Sequence, residues 1–110
     1  NLVLNARDAV ERGGHVVVQL SVDERARAEA DAQAQARSVE LLVRDDGVGM
    51  DEATRARAFE PFFTTKQARG GSGIGLATVQ AVVERHAGSV ELESTPGRGT
   101  TVRARFAPAF

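Results

Sequence analysis

The chain contains no cysteine, tryptophan or tyrosine. Without cysteine it has neither a disulfide framework nor a thiolate metal site. It has no apolar run of about 18 residues, so no transmembrane helix is predicted. The net charge is −1, from 14 basic and 15 acidic residues, which indicates neither a nucleic-acid surface nor direct membrane contact. The 110 residues are enough for one small globular domain with a single two-layer core.

Hydrophobic periodicity predicts seven elements in the order helix, strand, strand, helix, helix, strand, strand. Helices are predicted at 1–11, 52–58 and 73–87, and strands at 15–22, 38–44, 89–94 and 101–106. Asp51 is the predicted N-cap of the second helix and Gly88 the predicted C-cap of the third. Residues 23–37, rich in alanine and charge, are expected to form a solvated excursion between two strands.

A glycine-rich stretch at 70–75 precedes the third helix, with four glycines in six residues. A glycine loop that enters a helix N-terminus offers free backbone N–H groups and the positive end of the helix dipole. The stretch is therefore either a phosphate-binding loop or a hinge or close-packed turn.

Asn1, Asn5 and Asp8 form a polar stripe on the first helix. Asparagine is a poor helix former, so two of them on one face call for a reason. An amide oxygen can coordinate Mg²⁺, a hard cation that prefers oxygen ligands. The alternative is that Asn1 caps the helix and Asn5 is solvated.

Asp45 ends the second strand and is followed by Gly47 and Gly49. A carboxylate at the base of a pocket can accept a hydrogen bond from an amine such as that of adenine; the alternative is an ordinary Asp-Gly turn. Further on, residues 59–66 pack three phenylalanines around Pro61 and are expected to form a rigid apolar plug. Lys66 in this segment either reaches a phosphate or is solvated.

Five motifs, in order along the chain, resemble those of the sensor histidine kinases. They are the N box at 1–9, the G1 box at 45–50, the F box at 59–66, the G2 box at 71–76 and the final glycine motif at 97–100. The resemblance implies the Bergerat ATP-binding fold, an α+β two-layer sandwich with helices on a mixed, mainly antiparallel sheet. Residues 1–110 are expected to be a single ATP-binding domain, and the abrupt start of the first helix at Asn1 predicts an N-terminus that is cut inside a larger protein.

The same resemblance assigns site residues. Asn5 would be the catalytic residue that holds Mg²⁺ against the ATP phosphates, with Asn1 as a candidate second ligand, and Asp45 would accept from the adenine amine. A lid would run from about Gln67 to Gly73. The other implied ATP-binding residues are Gly47, Gly49, Met50, Phe62, Phe63, Lys66, Gly71, Ser72, Gly73, Ile74, Gly75, Leu76 and Thr100. Some relatives place a basic residue where Asp8 stands, so Mg²⁺, Lys66 or Arg69 must neutralise the phosphates.

The resemblance implies that the domain binds Mg-ATP and donates the γ-phosphate to a histidine on a separate dimerisation domain of the same parent. A response regulator would act downstream. The fragment is expected to be monomeric and the parent homodimeric. The expected location is the cytoplasm, whether or not the parent is membrane-anchored.

Two other functions stay open. A hydrolytic ATPase of the same superfamily carries a glutamate as general base four residues before the N-box asparagine; here that residue is Asn1, whose amide cannot take a proton. A non-catalytic nucleotide-binding regulator is the second alternative. Neither His15 nor His86 resembles a phosphoacceptor, so the fragment alone is expected to bind ATP without phosphorylating itself.

Overall fold

The computed structural model describes residues 1–11, 13–23, 38–63 and 75–106. These residues form three helices and four strands in the predicted order. The helices are α1 (Leu2–Ala9), α2 (Glu52–Ala56) and α3 (Gly75–Arg85), and the strands are β1 (Val16–Asp23), β2 (Ser38–Asp45), β3 (Ser89–Thr95) and β4 (Gly99–Phe106). All three helices end two residues earlier than predicted. Asp51 caps α2 as expected, because its Oδ1 accepts from the Thr54 amide at 2.8 Å.

The four strands form one sheet in the order β1-β2-β4-β3. Every pairing among these described strands is antiparallel, which confirms the α+β fold with a mainly antiparallel sheet. The predicted excursion at 23–37 lies outside the described residues except for Asp23, which ends β1.

The core lies between the sheet and two helices. Val43 and Val102 are paired residues of β2 and β4, and both are buried. Ala6 of α1 and Val83 of α3 are buried as well, and both helices contact the sheet. The opposite face of the sheet is polar and carries ion pairs such as that of Arg105 with Glu40, at 3.0 Å. The alternation of apolar and polar residues along each strand therefore separates a helix-covered face from a solvated one.

The described helices cover β2 and β4 but leave much of β1 open. Val18, Leu20 and Val22 project from the same face of β1, and they are 55%, 70% and 52% exposed. Because β1 is at the edge of the sheet, an apolar strip and an edge strand coincide there. In the described part of the chain, no helix is long and apolar enough to cross a membrane.

The C-terminus of α3 differs from the prediction that Gly88 caps it. Ala87 is the residue in the left-handed conformation, with φ of 58°. Its amide bonds to the carbonyl of Glu84 at 3.1 Å, and the Gly88 amide bonds to that of Val83 at 2.9 Å. This is a Schellman motif whose left-handed position is filled by alanine. Gly88 is needed for space instead, since a Cβ there would lie 2.1 Å from the Arg105 carbonyl oxygen.

Candidate functional site

Asp45 is the only buried polar or charged side chain among the described residues, at 7% exposure. Its Oδ1 accepts a hydrogen bond from the Gly47 amide at 2.9 Å. Thr100 on β4 is directly opposite Asp45, so the two side chains lie on the same, helix-covered face of the sheet. The alternative of an ordinary Asp-Gly turn accounts for the Gly47 bond. It does not explain why this carboxylate is buried, at the end of the row of β2 residues that face the core.

Two glycines of the loop after β2 are packed against other backbone. A Cβ on Gly47 would lie 2.3 Å from the Ala9 carbonyl oxygen. A Cβ on Gly49 would lie 2.0 Å from that of Thr95, and Gly49 also has φ of 68°. Any side chain at either position would clash with main-chain atoms that have little room to move. The glycines thus let the loop lie directly against α1 and the end of β3.

Three further hydrogen bonds hold this loop. The Val48 amide donates to the Ala9 carbonyl at 3.1 Å, and the Gly97 amide donates to the Val48 carbonyl at 2.8 Å. The Met50 amide donates to Ser94 Oγ at 2.8 Å. The loop beside Asp45 is therefore fixed by α1, β3 and the β3–β4 turn together.

Asn1 and Asn5 come together with the start of α3. A Cβ built on Gly75 would lie 3.5 Å from Asn5 Nδ2, 3.7 Å from Asn5 Oδ1 and 3.8 Å from Asn1 Oδ1. Asn1 is at the N-cap position of α1, but its side chain makes no capping hydrogen bond to that helix. This geometry does not match the alternative in which Asn1 serves as a cap. It places two amide groups beside the first residue of the helix that follows the glycine loop.

The helix α1 spans the distance between these two groups of residues. Asn1 and Asn5 lie toward its first half, and Ala9, which contacts the Asp45 loop, is its last residue. Eight residues of α-helix at 1.5 Å each separate the two ends by about 12 Å. Asn5 and Asp8 are three residues apart and therefore lie on the same face of α1. The Asp8 carboxylate forms an ion pair with the Arg7 guanidinium at 3.2 Å.

The described part of the F box forms a less closed corner than predicted. Phe62 is 75% exposed and has φ of 68°, a strained conformation for a bulky residue. Phe63 is half-buried, with the Arg57 guanidinium 4.3 Å from its ring centroid. Phe63 and the buried Ala58 are anchored, whereas Phe62 faces solvent.

Several predicted site residues lie outside the described residues: Lys66, Gly71, Ser72, Gly73 and Ile74. Leu76, by contrast, is described and is half-buried in the first turn of α3. Among the described residues, no group of three or more His, Cys, Asp or Glu side chains could hold a metal ion.

Sequence reasoning missed a contact beside the site. The His15 amide donates to Asp46 Oδ1 at 2.8 Å, and His15 Nδ1 is 3.1 Å from Asp46 Oδ2. The hydrogen bonds from the His15 backbone and then from its side chain hold the pKa of Asp46 below its ordinary value. The two residues are 31 positions apart, so no local sequence signal links them. Asp46 therefore faces β1, away from its neighbour Asp45.

The contacts of Ser94 were missed as well. Its hydroxyl oxygen accepts a hydrogen bond from the Met50 amide and lies 2.7 Å from Thr100 Oγ1. A signal for it was available. Val90 and Leu92 occupy the inward positions of β3, and Ser94 is a hydroxyl at the next position of that alternation.

Comparison with known proteins agrees with this architecture. Residues 1–109 match the family of histidine kinase-, DNA gyrase B- and HSP90-like ATPases. The phosphate regulon sensor protein PhoR of Pseudomonas aeruginosa is 34% identical over 113 aligned positions, covering 99% of this chain and 23% of that protein. Sensor kinase CckA of Brucella abortus is 33% identical, covering 94% of this chain and 11% of that protein. The chain thus spans less than a quarter of the length of these curated relatives.

Solved structures give the same result. The mycobacterial sensor histidine kinase MprB has a TM-score of 0.72 and 29% identity, covering 97% of this chain and 66% of that one. Full-length ShkA, solved in complex with AMPPNP, has a TM-score of 0.71 and 28% identity, covering 98% of this chain and 20% of that one.

The chain therefore belongs to the histidine kinase-, DNA gyrase B- and HSP90-like ATPase family. Within that family it is an ATP-binding domain of the sensor histidine kinase type, as the five sequence motifs predicted.

Proposed function

We propose that this chain binds Mg-ATP and donates the γ-phosphate to a histidine on a separate dimerisation domain of the same parent, in two-component signalling. The observation that carries the proposal is the placement of two groups at opposite ends of α1. Asn1, Asn5 and Gly75 meet at one end, and the loop after Asp45 contacts the other. A nucleotide along α1 would have its base at Asp45 and its triphosphate at the asparagines. ShkA, a structural neighbour, was solved with AMPPNP, an analogue of ATP.

The base end suits adenine. Asp45 uses Oδ1 to accept from Gly47, and a carboxylate has about four lone-pair sites, so it can also accept from an exocyclic amine. Gly47 and Gly49 keep the neighbouring backbone free of side chains. Met50 and Thr100 also belong to this end of the site, and both are hydrogen-bonded to the Ser94 hydroxyl.

The phosphate end suits a magnesium ion. The amide oxygens of Asn1 and Asn5 both lie within 4 Å of the position that a Cβ on Gly75 would occupy. Amide oxygens are hard ligands of the kind that Mg²⁺ accepts. Asn5 would be the ligand, with Asn1 as the second. When bound, the ion would neutralise part of the triphosphate charge. Leu76, Lys66 and residues 71–74 complete the phosphate-binding part of the proposal.

Asn1 favours kinase activity over ATP hydrolysis. An ATPase that activates water needs a general base near the phosphates, and an amide does not accept a proton at neutral pH. Asn1 stands one turn from Asn5 and close to Gly75, so the position that would suit such a base carries an amide. The hydrolytic ATPase and the non-catalytic regulator remain the alternatives that the test must separate.

The chemistry requires little of this chain beyond positioning. A ring nitrogen of the acceptor histidine attacks the γ-phosphorus, and the N–P bond forms. The bond from the γ-phosphorus to the bridging oxygen breaks, and ADP leaves with that electron pair. The imidazole loses a proton to solvent. In such transfers the rate acceleration comes from binding the reactants, orienting them and neutralising charge.

The proposal extends to the parent protein. Residues 1–110 would act as one ATP-binding domain, monomeric when isolated, in a homodimeric parent whose catalytic region is cytoplasmic. A response regulator would then receive the phosphoryl group from the histidine.

The test supplies the 110-residue chain with Mg-ATP and the histidine-bearing domain of its parent. The expected product is phosphohistidine, identified because it is labile to acid and stable to base. Asn5→Ala should abolish the transfer, whereas Gln19→Ala, an exposed amide on β1, should not. Rapid ATP turnover by the chain alone, with no transfer to histidine, would support the ATPase instead. Tight ATP binding with neither reaction would support the regulator.

A further inference from the structure

The two edges of the sheet differ in how they are protected against pairing with another strand. Proteins commonly protect an edge strand with charged residues, because a neutral and regular edge can pair with a second chain. The edge strand β3 carries Glu91 and Glu93, both exposed. Residues 16–22 of the other edge strand, β1, contain no charged residue, proline or glycine, and Leu20 at their centre is 70% exposed. The β1 edge therefore lacks the usual protection.

One hydrogen bond shows which backbone groups of β1 point toward its free side. The Asp46 amide donates to the His15 carbonyl at 3.3 Å, so the backbone groups of His15 point toward β2. The pairing continues without a break, with Val16 opposite Asp45. Successive residues of an antiparallel strand direct their N–H and C=O groups alternately to the two sides. Positions 16, 18, 20 and 22 therefore direct these groups away from β2, where the described residues provide no further strand.

The sequence of β1 is complementary to itself. When two copies run antiparallel about a two-fold axis at Gln19, Val16 opposes Val22, Val18 opposes Leu20, and Gln19 opposes its own copy. Opposed residues lie on one face of the joined sheet and contact each other, so the apolar side chains form one row on the helix side. A shift by one residue would oppose apolar residues to the polar face. The four outward-pointing positions also oppose one another, so their backbone groups pair between the copies.

We infer that β1 is an interaction surface whose partner is β1 of a second copy of this domain. The absence of charge in residues 16–22 means that nothing in this segment repels a second copy. The assembly closes at two copies, because the contact uses the one unprotected edge of each. The edges that remain are the two β3 strands, which carry Glu91 and Glu93.

The size of the contact predicts a weak association. Seven residues a side, 16–22, are far fewer than the roughly 20–30 a side of a standard interface. The isolated chain should therefore be monomeric in dilute solution. In the homodimeric parent of the proposed function, two tethered domains would reach effective concentrations of about 1 mM, at which the β1 strands can pair. The inference rests on the proposed function in this respect only.

Hydrogen exchange of the wild-type chain provides the first test. The rates are compared by NMR at about 20 μM and about 1 mM, well below and near the effective concentration in the parent. The amides at positions 16, 18, 20 and 22 should exchange about twofold more slowly at the higher concentration, when half of the chain is paired. The amides at 17, 19 and 21 point toward β2 and should not change. Rates that are independent of concentration at all seven positions would overturn the inference.

A single cysteine tests the position of the two-fold axis. The natural chain has no cysteine, so Gln19→Cys introduces the only thiol. Position 19 opposes its copy at a pair without backbone hydrogen bonds, where the Cα atoms are about 4.5 Å apart, within the range of a disulfide. At the same concentration, Gln19→Cys should form a disulfide-linked dimer at least about tenfold faster than Ser21→Cys or Ser89→Cys, whose thiols would not meet. Equal rates in the three variants would overturn the inference.

Leu20→Lys tests the apolar row. It removes the contact with Val18 of the second copy and places two positive charges on diagonal positions, about 7–8 Å apart. The dissociation constant, measured by sedimentation equilibrium, should rise at least about tenfold. Val82→Lys, at a 44% exposed position on α3, is the matched control and should leave it unchanged. Equal effects of the two substitutions would overturn the inference, and hydrogen exchange of the wild type decides the question if Leu20→Lys does not fold.

The outcomes for this surface and for the proposed function are separable. A chain that pairs through β1 but transfers no phosphate to histidine would support this inference and overturn the proposed function. A chain that transfers phosphate but shows neither the alternating protection nor the preferred cross-link at position 19 would overturn this inference alone.

Discussion

Asp45 and Thr100 face each other across β2 and β4, on the side of the sheet that the helices cover. One residue is a carboxylate, the other a hydroxyl, and neither is a usual choice beside the buried Val43 and Val102. Burial of a polar group is costly unless it is hydrogen-bonded, and Asp45 meets that requirement in part through Gly47. The sheet thus ends in a polar pair, at the place where the proposed ligand would add further hydrogen bonds.

Asp45→Asn is the sharpest test of the base assignment. The new side chain can still accept from Gly47 through its amide oxygen, but its NH₂ group meets the adenine amine with the wrong polarity. We expect ATP affinity to fall by about 1.5–3 kcal/mol, roughly ten- to hundredfold, with the fold retained by circular dichroism. Asp46→Asn is the matched control, because Asp46 bonds to His15 instead. Comparable losses in both variants would point to loop stability and not to adenine recognition.

Asn5→Ala should remove the Mg²⁺-dependent part of ATP affinity. The reason is that the variant would lose the oxygen ligand proposed beside Gly75, while the proposed base end of the site is unchanged. Titrations with ATP and Mg²⁺, and with ADP in EDTA, separate the two contributions, and the second should change little. Asn1→Ala should give a smaller loss of the same kind. Losses that are equal with and without metal would make Asn5 a structural residue.

Ala87→Gly should stabilise the domain. A non-glycine residue in the left-handed conformation costs about 1–2 kcal/mol of stability. Glycine removes this cost, but it increases the conformational entropy of the unfolded chain, which offsets about 0.4–1 kcal/mol of the gain. The net expectation is a gain of about 0.5–1 kcal/mol, seen as a higher midpoint in urea. Ala81→Gly, exposed within α3, is the matched control and should lose about 1 kcal/mol. A loss in both variants would show that Ala87 is not strained.

The pH dependence of Asp46 follows from its contact with His15. Its pKa is lowered in the folded state, so the ionised carboxylate favours folding. This stability is present above the unfolded-state pKa of about 3.9 and is lost as the pH falls through the lower, folded value. Urea unfolding of the wild type and Asp46→Asn should therefore differ at neutral pH and converge in acid.

A second measurement tests the cause of that shift. The largest contribution comes from the His15 backbone amide, which a substitution of the side chain leaves in place. An NMR titration of the Asp46 carboxyl carbon should show a pKa that is still below its ordinary value in His15→Ala. A return to the ordinary value would assign the effect to the imidazole.

The sequence predicted those features that depend on near neighbours. The alternation of Val39, Leu41 and Val43 defines β2 without reference to the rest of the chain. Asp51 and Thr54 are three residues apart, so the cap of α2 was readable as well. The order of all seven elements was correct for the same reason, and the five motifs then identified the family.

Features that depend on distant residues were not readable. Ser94 is hydrogen-bonded to Met50, and His15 is hydrogen-bonded to Asp46. The two residues of each pair come together only when the sheet forms. At the end of α3, the sequence shows an alanine before a glycine but does not say which one takes the left-handed conformation. The approach of β4 decides this, because it leaves no room for a side chain at Gly88.

The loop at 46–50 is held at every second residue by a different part of the molecule. Asp46 bonds to His15 before β1, Val48 to α1 and to the β3–β4 turn, and Met50 to Ser94 of β3. One inserted or deleted residue would shift all later bonds out of place at once. The loop is therefore constrained in length as well as in composition, and length differences among homologous domains should fall outside it.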